Sequence, residues 1–531
     1  MRYDQRYDQR YPSIPHVVRS AAERFGDEPA INDGDRRYGF GELANEMVEA
    51  VRATIALGVE PGDRVGLCAP NSAEWIIAAL GILGAGGVIV PLNTRFKSGE
   101  LSYILRKSGA RALLASSFLD NDYIADLQKA DPGLPALGRT VSILGPAGAA
   151  GLSWAEFLEG GEVVTRARAE ASIDRLTPDT VSDVMFTSGT TGHPKGVVLT
   201  HGQSLRAYGW MGQEYTFAPS DSFLIIPPFF HCFGYKAGWL ASFIHGVTVI
   251  PMRVFDAGEA LEVISRERIS ILLGPPTIFS DLLNHPQRAE FDLSSLRVSM
   301  TGGTTIPESL VHAMKRELSF DIVLSAYGLT EASALVTTTR IEDSAQTVAA
   351  TSGRAIPDVE VRIVDELGAD VAPTQPGEIL VRGYTVTRGY WDEPEATASA
   401  IDDAGWLHTG DVGALDTAGN LSIVDRKKEM YIVGGFNAYP AEIEKILLGY
   451  APVQQVAVIG VPDERLGEVG CAFVVLAPEH RGTTEDEVIA WARTQMANFK
   501  VPRHVRFVER LPRNASQKIL KDELRAQVNA R

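Results

Sequence analysis

The run Thr187-Ser-Gly-Thr-Thr-Gly-His-Pro-Lys-Gly196 constrains this chain more than any other stretch. Its glycines let backbone N–H groups converge on one anion with no Cβ in the way, and Ser188, Thr190 and Thr191 add hydroxyl donors. Lys195 adds a full positive charge. Such a loop is suited to a polyphosphate, and a nucleotide triphosphate tail is the expected target. Neither of two better-known phosphate loops fits: the run contains no Gly-Lys-Ser/Thr, and a dinucleotide fingerprint needs a helix straight after its glycines. Directly after Gly196 stands Val197-Val198-Leu199, which reads as a strand. A helix is expected only later, where Thr200 and Gln203 have capping-box spacing ahead of Leu205. The fold is therefore expected to place this loop between two strands. An ordinary Gly/Ser/Thr surface turn would explain six such residues better than ten that end in Lys-Gly.

A chain of 531 residues exceeds one compact core and predicts more than one folding unit. Cys68, Cys232 and Cys471 are odd in number and lack metal-ligand spacing, which fits a reducing cytoplasm. A net charge of −17 argues against nucleic acid or an anionic membrane as partner, since both demand a basic face. Residues 1–14, with Arg-Tyr-Asp-Gln repeated before Tyr11, read as a frayed tail. Trp75 to Val90 is the most membrane-like segment, but it is short and carries four glycines. It reads as a buried helix that turns into a buried strand, Val88-Ile89-Val90, and no integral membrane association is expected.

Buried strands closely followed by amphipathic stretches recur at Arg64–Cys68, Gly87–Val90, Phe223–Ile226, Val247–Ile250 and Ile269–Leu273, which predicts layered α/β sheets. Between Val359 and Val381 short strands broken by turns suggest a small antiparallel or barrel-like piece. The fold class is thus α/β, with a large domain over 15–425 and a smaller α+β domain over 426–531. The charged cluster Asp425-Arg-Lys-Lys-Glu429 marks the junction. Beyond it lie strand signals at Val456–Gly460 and Ala472–Leu476 and a helix near Glu485 to Ala497.

Tyr327-Gly328-Leu-Thr330-Glu331 combines an aromatic face that can stack on adenine with a hard-oxygen carboxylate suited to Mg2+. Taken alone, a core tyrosine and a helix-start carboxylate would explain it as well. Together with Trp406-Leu-His-Thr-Gly-Asp411 and Asp425-Arg426, these motifs make the chain resemble the adenylate-forming superfamily: acyl-CoA synthetases, luciferases and the adenylation domains of peptide synthetases. The likeness runs from about Pro15 to Leu524. It implies a large N-terminal domain and a mobile C-terminal one, hinged at Lys428.

The resemblance implies that Thr187, Ser188, Gly189, Thr190, Thr191, Gly192 and Lys195 bind the triphosphate of ATP. It sets Gly302, Ser325, Ala326, Tyr327 and Gly328 around adenine, Thr330 near the reacting groups and Glu331 on the magnesium. Asp411 would accept from the ribose hydroxyls, and Arg426 would reach ribose or phosphate. Gly434 and Gly435 resemble the loop lining the pantetheine tunnel of coenzyme A. Lys518 resembles the catalytic lysine, with Gln517 where the family has glycine. The acid's pocket is assigned to His231, Phe233, Gly234, Tyr235, Trp239, Gly302, Gly303 and Ala326, with His231 as a positioning or gating group rather than an acid or base.

The implied activity is ATP-dependent acyl-CoA ligation of a small-molecule carboxylic acid through an acyl-AMP. The segments Phe229–Trp239, Gly274–Ile278 and Met430–Pro440 look most like actinobacterial ligases for fatty or steroid-derived acids. The alternative is an adenylating enzyme that loads a carrier protein. No carrier domain is expected after Lys518, and Phe230 to Trp239 has no acidic residue to meet an amino acid's amine. A non-catalytic nucleotide binder is disfavoured by the full set of Glu331, Asp411, Arg426 and Lys518, while luciferase-like oxidation of an adenylate and a homodimer are left open.

Overall fold

The computed structural model describes residues 6–529 apart from 120, 148–150, 188–193, 303–305, 427–428, 434–435, 464, 497 and 515–518. Two large sheets dominate. One has nine strands, running in order Arg354–Ala355, Thr337–Thr338, Ile322–Tyr327, Val298–Gly302, Ile271–Leu273, Ser222–Ile225, Thr248–Pro251, Pro29–Asp33 and Arg36–Gly39. Its centre is parallel and only its edges are antiparallel. The second, of eight strands, takes the path Lys195–Thr200, Val181–Thr187, Val88–Pro91, Arg64–Cys68, Ala112–Phe118, Thr140–Leu144 and Leu152–Ser153, with Asn121–Asp122 paired to Ala112–Phe118. The strand–helix alternation read from the sequence is realised, because strands with both faces covered are nearly continuous apolar runs.

Helix Ala73–Gly84 is buried at every residue, and Ser72 caps it by accepting from the Trp75 amide. A helix apolar on all sides belongs in a core. It reaches its sheet strand, Val88–Pro91, through a glycine turn, as the sequence predicts. Among the described residues no helix is long and apolar enough to cross a membrane.

The small antiparallel piece is a four-stranded meander of Val359–Val364, Gly377–Gly383, Leu407–Leu415 and Leu421–Arg426. Beyond it a five-stranded sheet forms around the antiparallel pair Val453–Asp463 and Gly467–Leu476, flanked by helices Pro440–Leu447 and Glu485–Gln495.

The frayed tail expected at residues 1–14 is not found from Tyr7 onward. Tyr7–Arg10 forms a helical turn, and Tyr7 and Tyr11 are only 5% and 3% exposed. Tyr7 packs on helix His201–Glu214, where Gly209 leaves room for its ring, and lies 5.6 Å from the His245 ring. Aromatic burial over a polar repeat is a tertiary effect that composition alone does not show.

Candidate active site

Strands Val181–Thr187 and Lys195–Thr200 pair antiparallel, with Thr187 directly opposite Lys195. The Thr187–Gly196 run thus joins two antiparallel strands, as expected. The helix begins only at His201, capped by the predicted Thr200–Gln203 box. Ser188, Gly189, Thr190, Thr191 and Gly192 lie outside the described residues. The strands ending in Thr187, Gly302 and Tyr327 all deliver their residues at carboxyl ends, where open α/β sheets bind ligands.

Glu331 comes from the short turn Thr330–Ala332 just after strand Ile322–Tyr327. The Thr187 hydroxyl donates to Glu331 Oε1 at 3.4 Å, and the Tyr390 hydroxyl donates to the same oxygen at 3.1 Å. Close by, Ser333 and Ala334 have φ of 54° and 60°. Left-handed backbone at non-glycine residues costs on the order of 1–3 kcal/mol each and persists where surroundings hold it. Here Ser333 Oγ donates to Thr385 O at 2.9 Å and Tyr208 Oη donates to Ser333 O at 2.7 Å. Lys195 Nζ stands 5.0 Å from the Tyr390 ring centre. Burial, reinforced by Glu331, raises the Tyr390 phenol above its ordinary value, so it stays a donor.

The residues expected around the nucleoside come from strand ends. Gly302 pairs with Ala326, and a Cβ at Gly302 would lie 2.6 Å from the Ala326 carbonyl oxygen. At Gly328 a Cβ would lie 2.2 Å from the Ala334 backbone. Both positions need glycine so that neighbouring backbone can close in. Ser325 is buried, and its amide donates to Thr339 Oγ1 at 2.9 Å. Tyr327 Oη donates to Asp411 Oδ2 at 2.6 Å, joining motifs 84 residues apart. Asp411 is 5% exposed, and its amide donates to Thr409 Oγ1 at 3.1 Å. Its ladder partner across the meander is Arg426, whose side chain lies outside the described residues.

Of the residues expected to line the acid's pocket, His231 is exposed, Phe233 half-buried and Gly234 buried. Gly302 and Ala326 are half-buried at adjacent strand ends. Tyr235 is elsewhere: it is fully buried and stacked on Trp239 at 4.8 Å, with Trp75 edge-on at 5.9 Å. The structure therefore places the Tyr235 and Trp239 rings in the core behind the segment.

The segment Phe233–Leu240 winds in π-helical turns broken by a kink at Gly238, whose φ and ψ are −82° and −106°. Within it Lys236 Nζ meets Asp183 Oδ1 at 3.0 Å, with both side chains 0% exposed. Asp183 sits on the strand that ends in Thr187, so a buried ion pair ties the Phe233–Leu240 segment to that strand.

Gly303, Lys428, Gly434, Gly435, Gln517 and Lys518 also lie outside the described residues. Their flanks are fixed: Val433 pairs with Phe436 across Gly434 and Gly435, and Arg513 bridges to Ile519 around Lys518. Tyr390, Lys236 and Asp183 escaped the sequence reading. Arg388-Gly-Tyr-Trp391 after a strand is a visible aromatic signal, but nothing in its spacing ties it to Glu331.

The geometry thus brings together the strands flanking the Thr187–Gly196 run, a tyrosine bonded to a buried aspartate, and a carboxylate and a lysine that both meet Tyr390. Residues 18–391 match the family model described as AMP-binding enzyme, and 442–518 match its C-terminal domain. The chain belongs to the AMP-binding enzyme family, and within it stands with the acid–CoA ligases.

It is 49% identical over 514 residues, covering 97% of this chain and 98% of the relative, to the 3-[(3aS,4S,7aS)-7a-methyl-1,5-dioxo-octahydro-1H-inden-4-yl]propanoyl:CoA ligase of Mycobacterium tuberculosis. It is 48% identical over 519 residues to the ligase of the same name from Rhodococcus jostii, with coverage of 97% and 98%. Among solved structures, the anthranilate CoA ligase AuaEII in complex with anthranoyl-AMP superposes with a TM-score of 0.87 at 27% identity, over 98% of each chain.

Proposed function

We propose that this chain activates a propanoate carried on a fused, steroid-derived bicycle as its acyl-AMP, and then passes the acyl group to coenzyme A. One observation carries the nucleotide half: the 2.6 Å bond from Tyr327 to Asp411, which sets a stacking ring and a ribose acceptor side by side. The acid is inferred from near-half identity to two ligases named for that bicyclic propanoate, sustained over 97% of this chain.

In the first half-reaction a carboxylate oxygen of the acid attacks the α-phosphorus of ATP. A bond to α-phosphorus forms, the bond to the bridging β-phosphate oxygen breaks, and pyrophosphate departs. Little covalent help is needed from the protein, so its contribution is positioning and charge stabilisation. Tyr327 and Asp411 hold the nucleoside, Thr187 and Lys195 hold the phosphates, and Thr330 faces the reacting groups. Lys518 would neutralise charge as pyrophosphate forms.

Among the described residues there is no cluster of three or more metal-ligating side chains. A lone carboxylate with hydroxyls beside it fits Mg2+ that arrives on ATP, since this ion keeps waters and uses one or two carboxylates plus phosphate oxygens. Glu331 would hold it, and the ion would supply charge neutralisation at the phosphates. In the second half-reaction the thiol of coenzyme A attacks the acyl carbon, the bond to AMP breaks and the thiol proton passes to solvent. Gly434 and Gly435, lacking a Cβ, would let backbone approach the pantetheine arm closely, and a swing about Lys428 would exchange Lys518 for them.

The test is pyrophosphate release over a panel of acids, with and without coenzyme A. The bicyclic propanoate should give the highest kcat/KM and a coenzyme A thioester. A preference for straight-chain acids would overturn the acid assignment, and release indifferent to coenzyme A would favour carrier loading.

A further inference from the structure

Tyr390 lies at a junction of three parts of the site that are distant in sequence. The stretch Thr387–Trp391 is stitched to the outer edge of strand Lys195–Thr200: the Val198 amide donates to Gly389 O at 3.1 Å and the Trp391 amide to Gly196 O at 2.6 Å. The Thr387 amide donates to the backbone carbonyl of Glu331 at 2.7 Å, so the same stretch also grips the turn that carries the carboxylate. The Tyr390 amide is itself held by Thr397 Oγ1 at 2.9 Å. This backbone has little freedom, and the side chain is correspondingly fixed.

From that position the two ends of one side chain meet different groups. Its hydroxyl donates to Glu331 Oε1 at 3.1 Å, and its ring lies 5.0 Å from Lys195 Nζ. The Thr187 hydroxyl goes to the same carboxylate oxygen. Two donors on Oε1 restrain how the carboxylate can turn, the role that outer partners play for a ligating carboxylate. The π face meanwhile gives the lysine ammonium a seat before any phosphate arrives. Phenylalanine could provide the ring and serine the hydroxyl. Tyrosine provides both at the required separation.

We propose that Tyr390 is a positioning residue that aims Glu331 at the magnesium of ATP with its hydroxyl and seats Lys195 for the phosphates with its ring. This rests on the nucleotide reading above. The experiment measures ATP binding to the full chain by calorimetry, without acid or coenzyme A, in EDTA and across a magnesium titration. Tyr390→Phe should leave ATP affinity in EDTA within about twofold of the unsubstituted chain, while raising the magnesium needed for half-maximal enhancement roughly 10-fold or more.

Tyr390→Leu should show the same magnesium defect and, in addition, bind ATP about 2- to 5-fold more weakly in EDTA, because the lysine loses its seat. A wild-type magnesium dependence in Tyr390→Phe would overturn the assignment. So would equal weakening in both arms, which is the mark of a merely structural role. Absence of ATP binding by the unsubstituted chain would remove the nucleotide reading and this inference together.

Discussion

In the large region Tyr327, Glu331 and Asp411 are each held by a partner from another strand or loop, with Tyr390 and Thr187 on Glu331 and Tyr327 on Asp411. Beyond Glu429 the arrangement is different. The small region has its own two cores, one around Tyr431, Val458 and Val474 and one around Ile459, Phe473 and Leu511. One of its described links outward is charged. Burial pulls the Arg513 guanidinium below its usual range while Asp281, on helix Pro276–Leu283 of the large region, pulls it back. Lys521 reaches Glu429 at 3.3 Å and Glu444 at 2.7 Å, joining the stretch after Lys518 to the one after Lys428.

A site half fixed by crossed hydrogen bonds is organised before ATP arrives. A unit with a closed core and charged contacts can be repositioned without unfolding. The contrast suits the two successive half-reactions proposed above.

Four substitutions or conditions would break or sharpen that contrast. Lys236→Met should have the largest effect, because it strands the Asp183 carboxylate with no exposed surface. Removing one member of a buried pair costs about 3–5 kcal/mol, and denaturant unfolding should show it as loss of the large region's transition with the small region's retained. Undiminished stability would mean that the pair is not what ties the Phe233–Leu240 segment to strand Val181–Thr187.

Lys518→Ala should lower acyl-AMP formation by roughly 10²–10³ while thioester formation from synthetic acyl-AMP survives. Equal loss of both half-reactions, measured separately, would end the division of labour between the two regions. Asp411→Asn removes a charged acceptor worth about 1.5–3 kcal/mol, so KM for ATP should rise about 10- to 100-fold with KM for coenzyme A unchanged. A matching rise for coenzyme A would show that the nucleoside half is not separately organised.

Just below pH 6.5 the smallest effect is acid sensitivity of the large region. Burial lowers His201 to about 3, with Lys236 and His16 contributing, and lowers His245 to about 4. The unfolded chain binds protons at these histidines below about pH 6.5, whereas the folded chain refuses them. Stability should therefore be full above that pH and fall as pH drops toward 4 and then 3, by up to about 1.4 kcal/mol per pH unit for each group. His245→Gln should flatten the large region's dependence, and an unchanged profile would assign it to other groups.

Much of the scaffold was legible because its causes are local. The capping box at Thr200 and Gln203, the apolar run of Ala73–Gly84 and the strand at Arg64–Cys68 arise from neighbouring residues and their period. The position of the Thr187–Gly196 run between two strands was read the same way, from Val197-Val198-Leu199 after Lys195. Tyr235 was misjudged because a tyrosine beside a histidine and a phenylalanine looks alike whether it lines a pocket or stacks on Trp239. The π-helical winding of Phe233–Leu240 decides which way each side chain faces, and no sequence period announces it.

By itself, then, the sequence determined the chemistry available: the hydroxyl- and glycine-rich anion loop, the order of the motifs behind it and the alternation that builds two parallel-centred sheets. Tertiary structure alone decided which groups touch. Tyr390 reaches Glu331 across 59 positions, Tyr327 reaches Asp411 across 84, Lys236 finds Asp183 in the core and Tyr7 closes over helix His201–Glu214. Backbone propensity and turn chemistry act over a few residues. Pairings of this kind depend on how packed layers bring remote strand ends together, which only the folded chain specifies.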